Sequence, residues 1–186
     1  MTNEINKAID ILEKGGLILY PTDTVWGIGC DATNEEAVKN VYALKQRKDS
    51  KALICLVAND AMLERHIEKV PDMAYDIMDL STKPTTIIYD APRNVAKNLV
   101  APDNTLAIRV ASDKFCTYLI NKFKKPIVST SANISGRPTP KSFKEIDTAI
   151  LTGVDYVVNL HQDKKNENTS AIIKLGNDGV VRIIRE

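Results

Sequence analysis

Histidine is nearly absent from this chain, with only His66 and His161 among 186 residues. The two form no metal-spaced cluster and sit in no catalytic-triad signature, so each reads as a surface or structural residue. Cysteine is also scarce. Cys30, Cys55 and Cys116 lie far apart, are odd in number and make no C-x-x-C pair. That fits reduced thiols in the cytoplasm and speaks against a disulfide framework. Charge of one sign is lacking too: 25 Lys and Arg stand against 24 Asp and Glu, for a net charge of +1. No global field therefore draws the chain to nucleic acid or to a membrane, and any RNA contact has to come from a local basic patch. No apolar run approaches the length of a membrane span. The first residues, MTNEINKAID, read as an amphipathic helix and not as a signal peptide. There is no internal repeat and no low-complexity segment. Neither G-x-x-x-x-G-K-[ST], G-x-G-x-x-G nor H-E-x-x-H occurs, so a nucleotide would be bound without a standard phosphate loop. No pair of residues looks like a general acid and base.

What remains is an ordinary globular composition, 44% hydrophobic and 26% charged. It is enough for one domain over residues 1–186 with a real core. Apolar residues at Ile5, Ala8, Ile9 and Leu12 predict a surface helix over Glu4–Lys14, ended by Gly15-Gly16. Short strands are expected at Leu17–Tyr20, Ala52–Ala58, Pro84–Tyr89, Thr105–Val110, Ile127–Ser129 and Asp155–Asn159. Thr33–Glu36 and Ser142–Glu145 have the form of capping boxes, opening helices to about Leu44 and about Leu151. Further helices are expected over Asp60–Lys69, Asp72–Leu80 and Ser112–Phe123, and a closing hairpin over Ser170–Leu175 and Val180–Ile184. Strands and helices interleave, which predicts an α/β fold on a sheet of mixed direction. Ligands in such folds sit at strand ends.

Two stretches with unusual chemistry begin at such ends. PIVSTSANISGRPTP, Pro126–Pro140, follows a short apolar run with hydroxyls, an amide, a glycine and an arginine. Ser129, Thr130, Ser131, Ser135 and Asn133 can donate to a bound anion. Read alone, it is equally an ordinary Ser/Asn/Gly loop. PTDTVWGIGCDA, Pro21–Ala32, offers Thr22, Asp23 and Thr24, then Trp26 and two glycines. It reads either as a hairpin with a buried tryptophan or as a pocket wall with hydroxyl donors above an apolar floor. Lys45, Arg47, Lys48 and Lys51 follow the second helix. They are either a solvated helix end or, together with Ser131, Asn133 and Arg185, candidate phosphate ligands. Residues two apart do not share a helix face, so Lys45 and Arg47 reach one target only if the helix loosens there. Arg109 is a guanidinium in an apolar strand and needs an anionic partner. Residue chemistry alone leads to an anion-binding, cation-lined cavity and names no substrate.

In sequence order these stretches resemble the YrdC family, the L-threonylcarbamoyl-AMP synthases. PTDTVWGIGCDA matches the family's P-T-[DE]-T-x-[YFW]-G-[LIV]-G-C-[DN], Lys45-Gln46-Arg47 its K-x-R, and STSANISGRPTP its S-A-N-x-S-G. Asn168–Ala171 and Ile183-Ile184-Arg185 resemble two later elements, so the match runs from about Gly15 to Arg185. The resemblance implies a twisted mixed parallel/antiparallel sheet with flanking helices and a large basic concave cavity, in the family's short single-domain form. It also implies a nucleotidyltransferase. L-threonine, bicarbonate and ATP, with Mg²⁺, give threonylcarbamoyl-AMP and pyrophosphate, and a partner complex passes the threonylcarbamoyl group to tRNA. A weak direct tRNA contact is possible on this reading, and a membrane contact is not expected. By position, Arg47, Lys51, Thr105, Ser131, Thr139 and Arg185 correspond to ATP contacts, with Arg182 as the competitor of Arg185. Thr24, Arg109, Ser129 and Ser170 correspond to contacts for L-threonine. Lys45, Arg47, Ser131 and Asn133 form the catalytic set, with Lys45 and Arg47 offsetting developing charge. The chain departs from the family pattern at Ser81–Pro84 (Trp-Pro-Gly-Pro), at Ala111 (Pro), at Leu56, where many members carry His, and in lacking the final Pro-Gly. The competing reading is a non-catalytic RNA-binding module that uses the same basic cavity. A carbamoyl-transfer domain of the hydrogenase-maturation type normally comes with acylphosphatase and zinc-finger segments, which this sequence lacks.

Overall fold

A computed structural model describes residues 1–47, 53–165 and 169–186. The first helix, α1 (Thr2–Glu13), buries Ile5, Ala8, Ile9 and Leu12, the face its periodicity predicts. Gly15 takes a left-handed φ of +75°, which turns the chain into β1 (Ile18–Tyr20). An antiparallel hairpin follows, with β2 at Gly27–Gly29. Helix α2 (Glu35–Leu44) starts one residue later than its capping box predicts. Asn34 accepts from the N–H groups of Glu36 and Ala37, while Thr33 turns its hydroxyl to Asp31 at 2.6 Å. The chain continues through β3 (Ile54–Val57), α3 (Asp60–His66), α4 (Asp72–Leu80), β4 (Thr85–Asp90), β5 (Thr105–Val110), α5 (Lys114–Phe123) and β6 (Ile127–Ser131). It ends with α6 (Thr148–Gly153), β7 (Tyr156–Val157), β8 (Ala171–Leu175) and β9 (Val181–Arg185).

The helix expected from Ser142 does not form as one piece. The reciprocal box bonds are not made: Ser142 caps no backbone N–H, its hydroxyl instead donates to Glu145 Oε1 at 3.1 Å, and the N–H of Lys141 donates to Oε2 at 2.9 Å. These contacts accompany only a single 3-10 turn, Phe143–Glu145. Ile146 then extends with ψ 128° to bury its side chain in the core, and Asp147 caps α6 afresh. Without a side-chain cap on the turn, burial of the isoleucine decides the path of the chain.

The strands form a nine-stranded sheet in the order β7-β1-β2-β6-β3-β5-β4-β8-β9. The pairs β1/β7, β3/β5 and β4/β8 are parallel and the rest antiparallel. The sheet is mixed, as the interleaved elements predict. Helices α1, α3 and α5 pack on its strands. Central strands β3 and β5 are buried almost throughout, which accounts for their unbroken apolar sequences. Among the described residues no helix is long and apolar enough to cross a membrane.

Candidate active site

Strand pairing brings the two unusual stretches side by side. Gly27 is in register with Ser131 and Ile28 with Thr130, and the Ala132 N–H donates to the Trp26 carbonyl at 3.0 Å. The segment Thr22–Val25 holds itself in place. The Thr22 hydroxyl donates to the Val25 carbonyl at 2.7 Å and lies 3.0 Å from the Thr24 hydroxyl. Trp26 is buried and packs on Phe143, with ring centroids 4.9 Å apart. The hairpin and the pocket wall are therefore the same object.

A cavity of about 280 Å³ opens over this junction, near the low end of the roughly 300–1,000 Å³ usual for small-molecule sites. Every strand except β1 and β7 contributes to it, and no helical residue does. Gly27, Ser129 and Ser131 form one side, Arg109 and Thr24 lie along it, and Ser170 and Arg185 close the other. Arg47 and Thr139 complete the polar lining. Three arginines line the cavity and no carboxylate does, among the described residues. That is a site built for an anion.

Local contacts set the poise of each group. Arg109 is buried in β5, where its Nη2 donates to Asp23 Oδ1 at 2.9 Å and to the Thr24 hydroxyl at 3.4 Å. Asp23 also accepts from Ser112 at 3.0 Å. The anionic partner that Arg109 requires is thus internal. Its Nε is buried with no hydrogen-bond partner among the described residues. Arg185 grips the Ser170 carbonyl through Nε at 3.0 Å and Nη2 at 2.7 Å. The Ser170 hydroxyl lies 2.8 Å from that of Thr86. Burial holds both Arg47 and Arg185 below the ordinary guanidinium range, and the nearby charge of Arg109 adds to the effect on Arg185. Crowding cations that are already losing solvent is costly until an anion arrives.

Eight of the residues expected from the sequence meet on this cavity: Thr24, Arg47, Arg109, Ser129, Ser131, Thr139, Ser170 and Arg185. Arg182 lines a different hollow with Asp90 and Lys174, which leaves Arg185 as the cavity cation. Three expected residues do not line it. Lys45 is 1% exposed, and its ammonium donates to the backbone carbonyls of Ser131 and Asn133. α2 does end at Leu44, so Lys45 and Arg47 diverge, but Lys45 turns into the loop and not into the cavity. The Asn133 amide likewise serves its own loop, donating to the carbonyls of Ile134 and Arg137. It lines an adjoining hollow that shares Thr139 with the main one. Thr105 is buried and donates to Asp103 at 2.7 Å. Lys51 lies outside the described residues. Leu56, in register with Arg109, is fully buried. Asp23 was not among the expected site residues, and its position between two threonines of the P-T-D-T run was the available signal.

The Sua5/YciO/YrdC family model, described as "Telomere recombination", matches residues 10–186. The chain belongs to this family. A threonylcarbamoyl-AMP synthase of Pseudoalteromonas translucida is 37% identical over 157 residues, covering 83% of this chain and 84% of that protein. Among solved structures of the family, a doubly substituted P. abyssi Sua5 superposes with a TM-score of 0.87 at 25% identity, over 97% of this chain. A P. abyssi Sua5 complexed with L-threonine gives a TM-score of 0.81 at 26% identity, over 92% of this chain. This chain spans 55% and 50% of those two Sua5 chains. As in these family members, the sheet is mixed and carries flanking helices.

The donor set also bears on a metal. Among the described residues no three His, Cys, Asp or Glu side chains cluster as ligands would. Among the described residues the cavity offers hydroxyls and guanidinium groups without a carboxylate. Mg²⁺ prefers carboxylates and phosphate oxygens, so these residues do not form a protein cage for it.

Proposed function

We propose that this protein is an L-threonylcarbamoyl-AMP synthase, acting in the cytoplasm to supply a tRNA-modification transferase complex. The observation that carries the reading is the convergence of Arg47, Arg109 and Arg185 on one cavity that no carboxylate lines among the described residues. Arg109 donates to Thr24, and Arg185, held by Ser170, lies near enough for the charge of Arg109 to act on it.

Arg47, Arg185, Ser131 and Thr139 bind the triphosphate of ATP, with Lys51 as a further expected contact. Arg109 takes the carboxylate of L-threonine, while Thr24, Ser129 and Ser170 address its amine and hydroxyl. A substrate hydroxyl held by hydrogen bonds discriminates strongly against analogues that lack it. The threonine nitrogen attacks the carbon of bicarbonate or CO₂. A C–N bond forms, the nitrogen loses a proton, and bicarbonate sheds its extra oxygen as water. An oxygen of the resulting carbamate attacks the α-phosphorus, the α–β bridge breaks, and pyrophosphate leaves with the electron pair. Positioning and charge neutralisation supply most of such catalysis. Mg²⁺ would enter on the triphosphate, and the guanidinium groups act on the protein side. Lys45 and Asn133 serve by shaping the loop that presents Ser131. The competing reading, a non-catalytic RNA-binding module using the same cavity, predicts instead an RNA affinity that falls steeply with salt.

The test is pyrophosphate release from ATP with L-threonine, L-serine or no amino acid, each with and without bicarbonate. Release that requires both L-threonine and bicarbonate is expected, and Arg47→Ala and Ser131→Ala should abolish it. ATP turnover indifferent to threonine would sink the proposal.

A further inference from the structure

Thr86 lies on β4 two residues before Ile88, hence on the same face of the strand, and Ile88 lines the cavity. Thr86 itself does not line it and is fully buried. Its hydroxyl stands 2.8 Å from that of Ser170, which does line the cavity and is 2% exposed. A hydroxyl carries one hydrogen and two lone pairs. Among the described residues the Ser170 oxygen is the one partner within hydrogen-bond distance of the Thr86 hydroxyl. A fully buried group has no solvent to fall back on, and an unmatched buried donor is costly, so Thr86 donates to Ser170. Arg185 engages the other lone pair: its Nη2 lies 3.3 Å from Ser170 Oγ, and a guanidinium has donors only. The same cation is anchored on the Ser170 carbonyl, through Nε at 3.0 Å and Nη2 at 2.7 Å, which holds it against the serine. With both lone pairs engaged, what Ser170 still offers a ligand is its own hydrogen.

We propose that Thr86 is a positioning residue that fixes Ser170 as a hydrogen-bond donor, so that Ser170 reads an oxygen of the amino-acid substrate and not its ammonium. This rests on the function proposed above and narrows it. L-threonine offers two kinds of acceptor, the carboxylate and the side-chain hydroxyl oxygen, whereas its ammonium is a donor only. Two donors that face each other make no bond, so an ammonium turned toward Ser170 would be desolvated and unpaired. The zwitterion is thereby oriented, with an oxygen toward Ser170 and the ammonium left to the other hydroxyls of the cavity. Thr86 does this without touching substrate. Without its hydroxyl the Ser170 hydrogen can rotate and a lone pair can face the ligand, and the serine no longer distinguishes oxygen from ammonium.

The experiment is calorimetric titration of wild type, Thr86→Val, Thr86→Ser, Ser170→Ala and the Thr86→Val, Ser170→Ala double variant with L-threonine, L-α-aminobutyrate and ATP. Valine keeps the shape of threonine and cannot donate. Thr86→Val should weaken L-threonine by about three- to tenfold, the scale of one hydrogen bond, and leave ATP within about twofold. In pyrophosphate release it should raise KM for threonine more than it lowers kcat. Thr86→Ser, which keeps the hydroxyl, should bind as wild type does. Thr86→Ala carries the same expectation as the valine variant should that one not fold. On a Ser170→Ala background Thr86→Val should have no further effect, because it acts through the serine. L-α-Aminobutyrate lacks only the substrate hydroxyl. Its affinity should be equal in wild type and Thr86→Val if Ser170 donates to that hydroxyl, and should fall in step with threonine if Ser170 donates to the carboxylate; each result keeps Ser170 a donor to oxygen. Threonine affinity within about twofold of wild type in Thr86→Val would overturn the inference. Equal losses for threonine and ATP would do the same, by marking a merely structural contact. Pyrophosphate release by the wild-type protein, measured alongside, separates the two levels. Threonine-dependent release with an indifferent Thr86→Val overturns only this inference. Absence of both threonine binding and release from the wild type overturns it together with the function.

Discussion

The ammonium of Lys45 donates to the backbone carbonyl of Asn133 at 2.7 Å. The same nitrogen reaches the carbonyl of Ser131, and the N–H of Ser135 returns a bond to the Lys45 carbonyl at 2.8 Å. One residue at the end of α2 therefore holds the loop after β6 by three hydrogen bonds. It does so as a buried cation with no carboxylate within ion-pair distance among the described residues. Ser131 lines the cavity, and Arg47 stands two residues beyond the clamp.

Burial, and secondarily the charge of Arg47, pushes the Lys45 ammonium down to about 7 from an ordinary 10.5. Between those values the unfolded chain binds a proton that the folded chain does not. The contribution of Lys45 to stability is therefore full above the unfolded value and is lost as pH falls toward 7. Lys45→Met removes this dependence along with the clamp. Urea denaturation of both proteins should show the wild type gaining about 1–3 kcal/mol relative to Lys45→Met between pH 7 and about 9. A difference that stays flat across that range would show that the ammonium is not desolvated in the fold.

Buried thiols respond in the opposite sense. Cys30, Cys55 and Cys116 are all buried, and burial raises each thiol above its ordinary range. The stability they contribute is present below the unfolded value of 9.0 and is lost as pH rises beyond it. Since the thiolate is the reactive form, the native protein should resist iodoacetamide at pH 8 and take up label on all three cysteines only in denaturant, as read by mass spectrometry. Rapid labelling of any one in the native state would contradict its placement in the core.

Much of this was readable beforehand, and the exceptions have physical causes. The Thr105–Val110 strand was predicted with its observed bounds, because an apolar β-branched run has no helical alternative. β2 was not separately predicted. It is three residues long and two of them are glycines, which carry no strand signal. The cluster of cavity hydroxyls and arginines followed from the family resemblance of the motifs that carry them. The inward turn of Lys45 did not, because a lysine after a helix has the same sequence signature whether it meets solvent or two carbonyls. Sheet order, which places Gly27 beside Ser131, comes only from tertiary pairing.

Arg182 and Arg185 offer a paired test of the last strand. Their sequence neighbourhoods are nearly identical, but only Arg185 lines the main cavity, while Arg182 lines a hollow with Asp90 and Lys174. Arg185→Ala should weaken ATP by about tenfold or more, the scale of a lost charge-assisted contact, while Arg182→Ala leaves it unchanged. Calorimetric titration with ATP reads both. Equal effects would mean that the cavity lined by Arg185 is not the ATP site.

The two glycines of β2 should fail in different ways. A methyl at Gly29 would stand 2.6 Å from Tyr20 Cε1 and 2.9 Å from the Val128 carbonyl. Tyr20 is fully buried and that carbonyl belongs to the neighbouring strand, so neither yields easily. Gly29→Ala should therefore cost about 1–3 kcal/mol by overpacking, seen as a lower denaturation midpoint. At Gly27 the same methyl meets Ser129 Oγ and Thr22 Cγ2 at 3.4 Å, which is ordinary contact. But Gly27 lines the cavity between the two motif strands, so the methyl occupies space meant for ligand. Gly27→Ala should keep the wild-type midpoint and lose threonine-dependent pyrophosphate release, with KM rising before kcat falls. A Gly27→Ala protein that keeps threonine-dependent release would place the ligand away from the junction of β2 and β6.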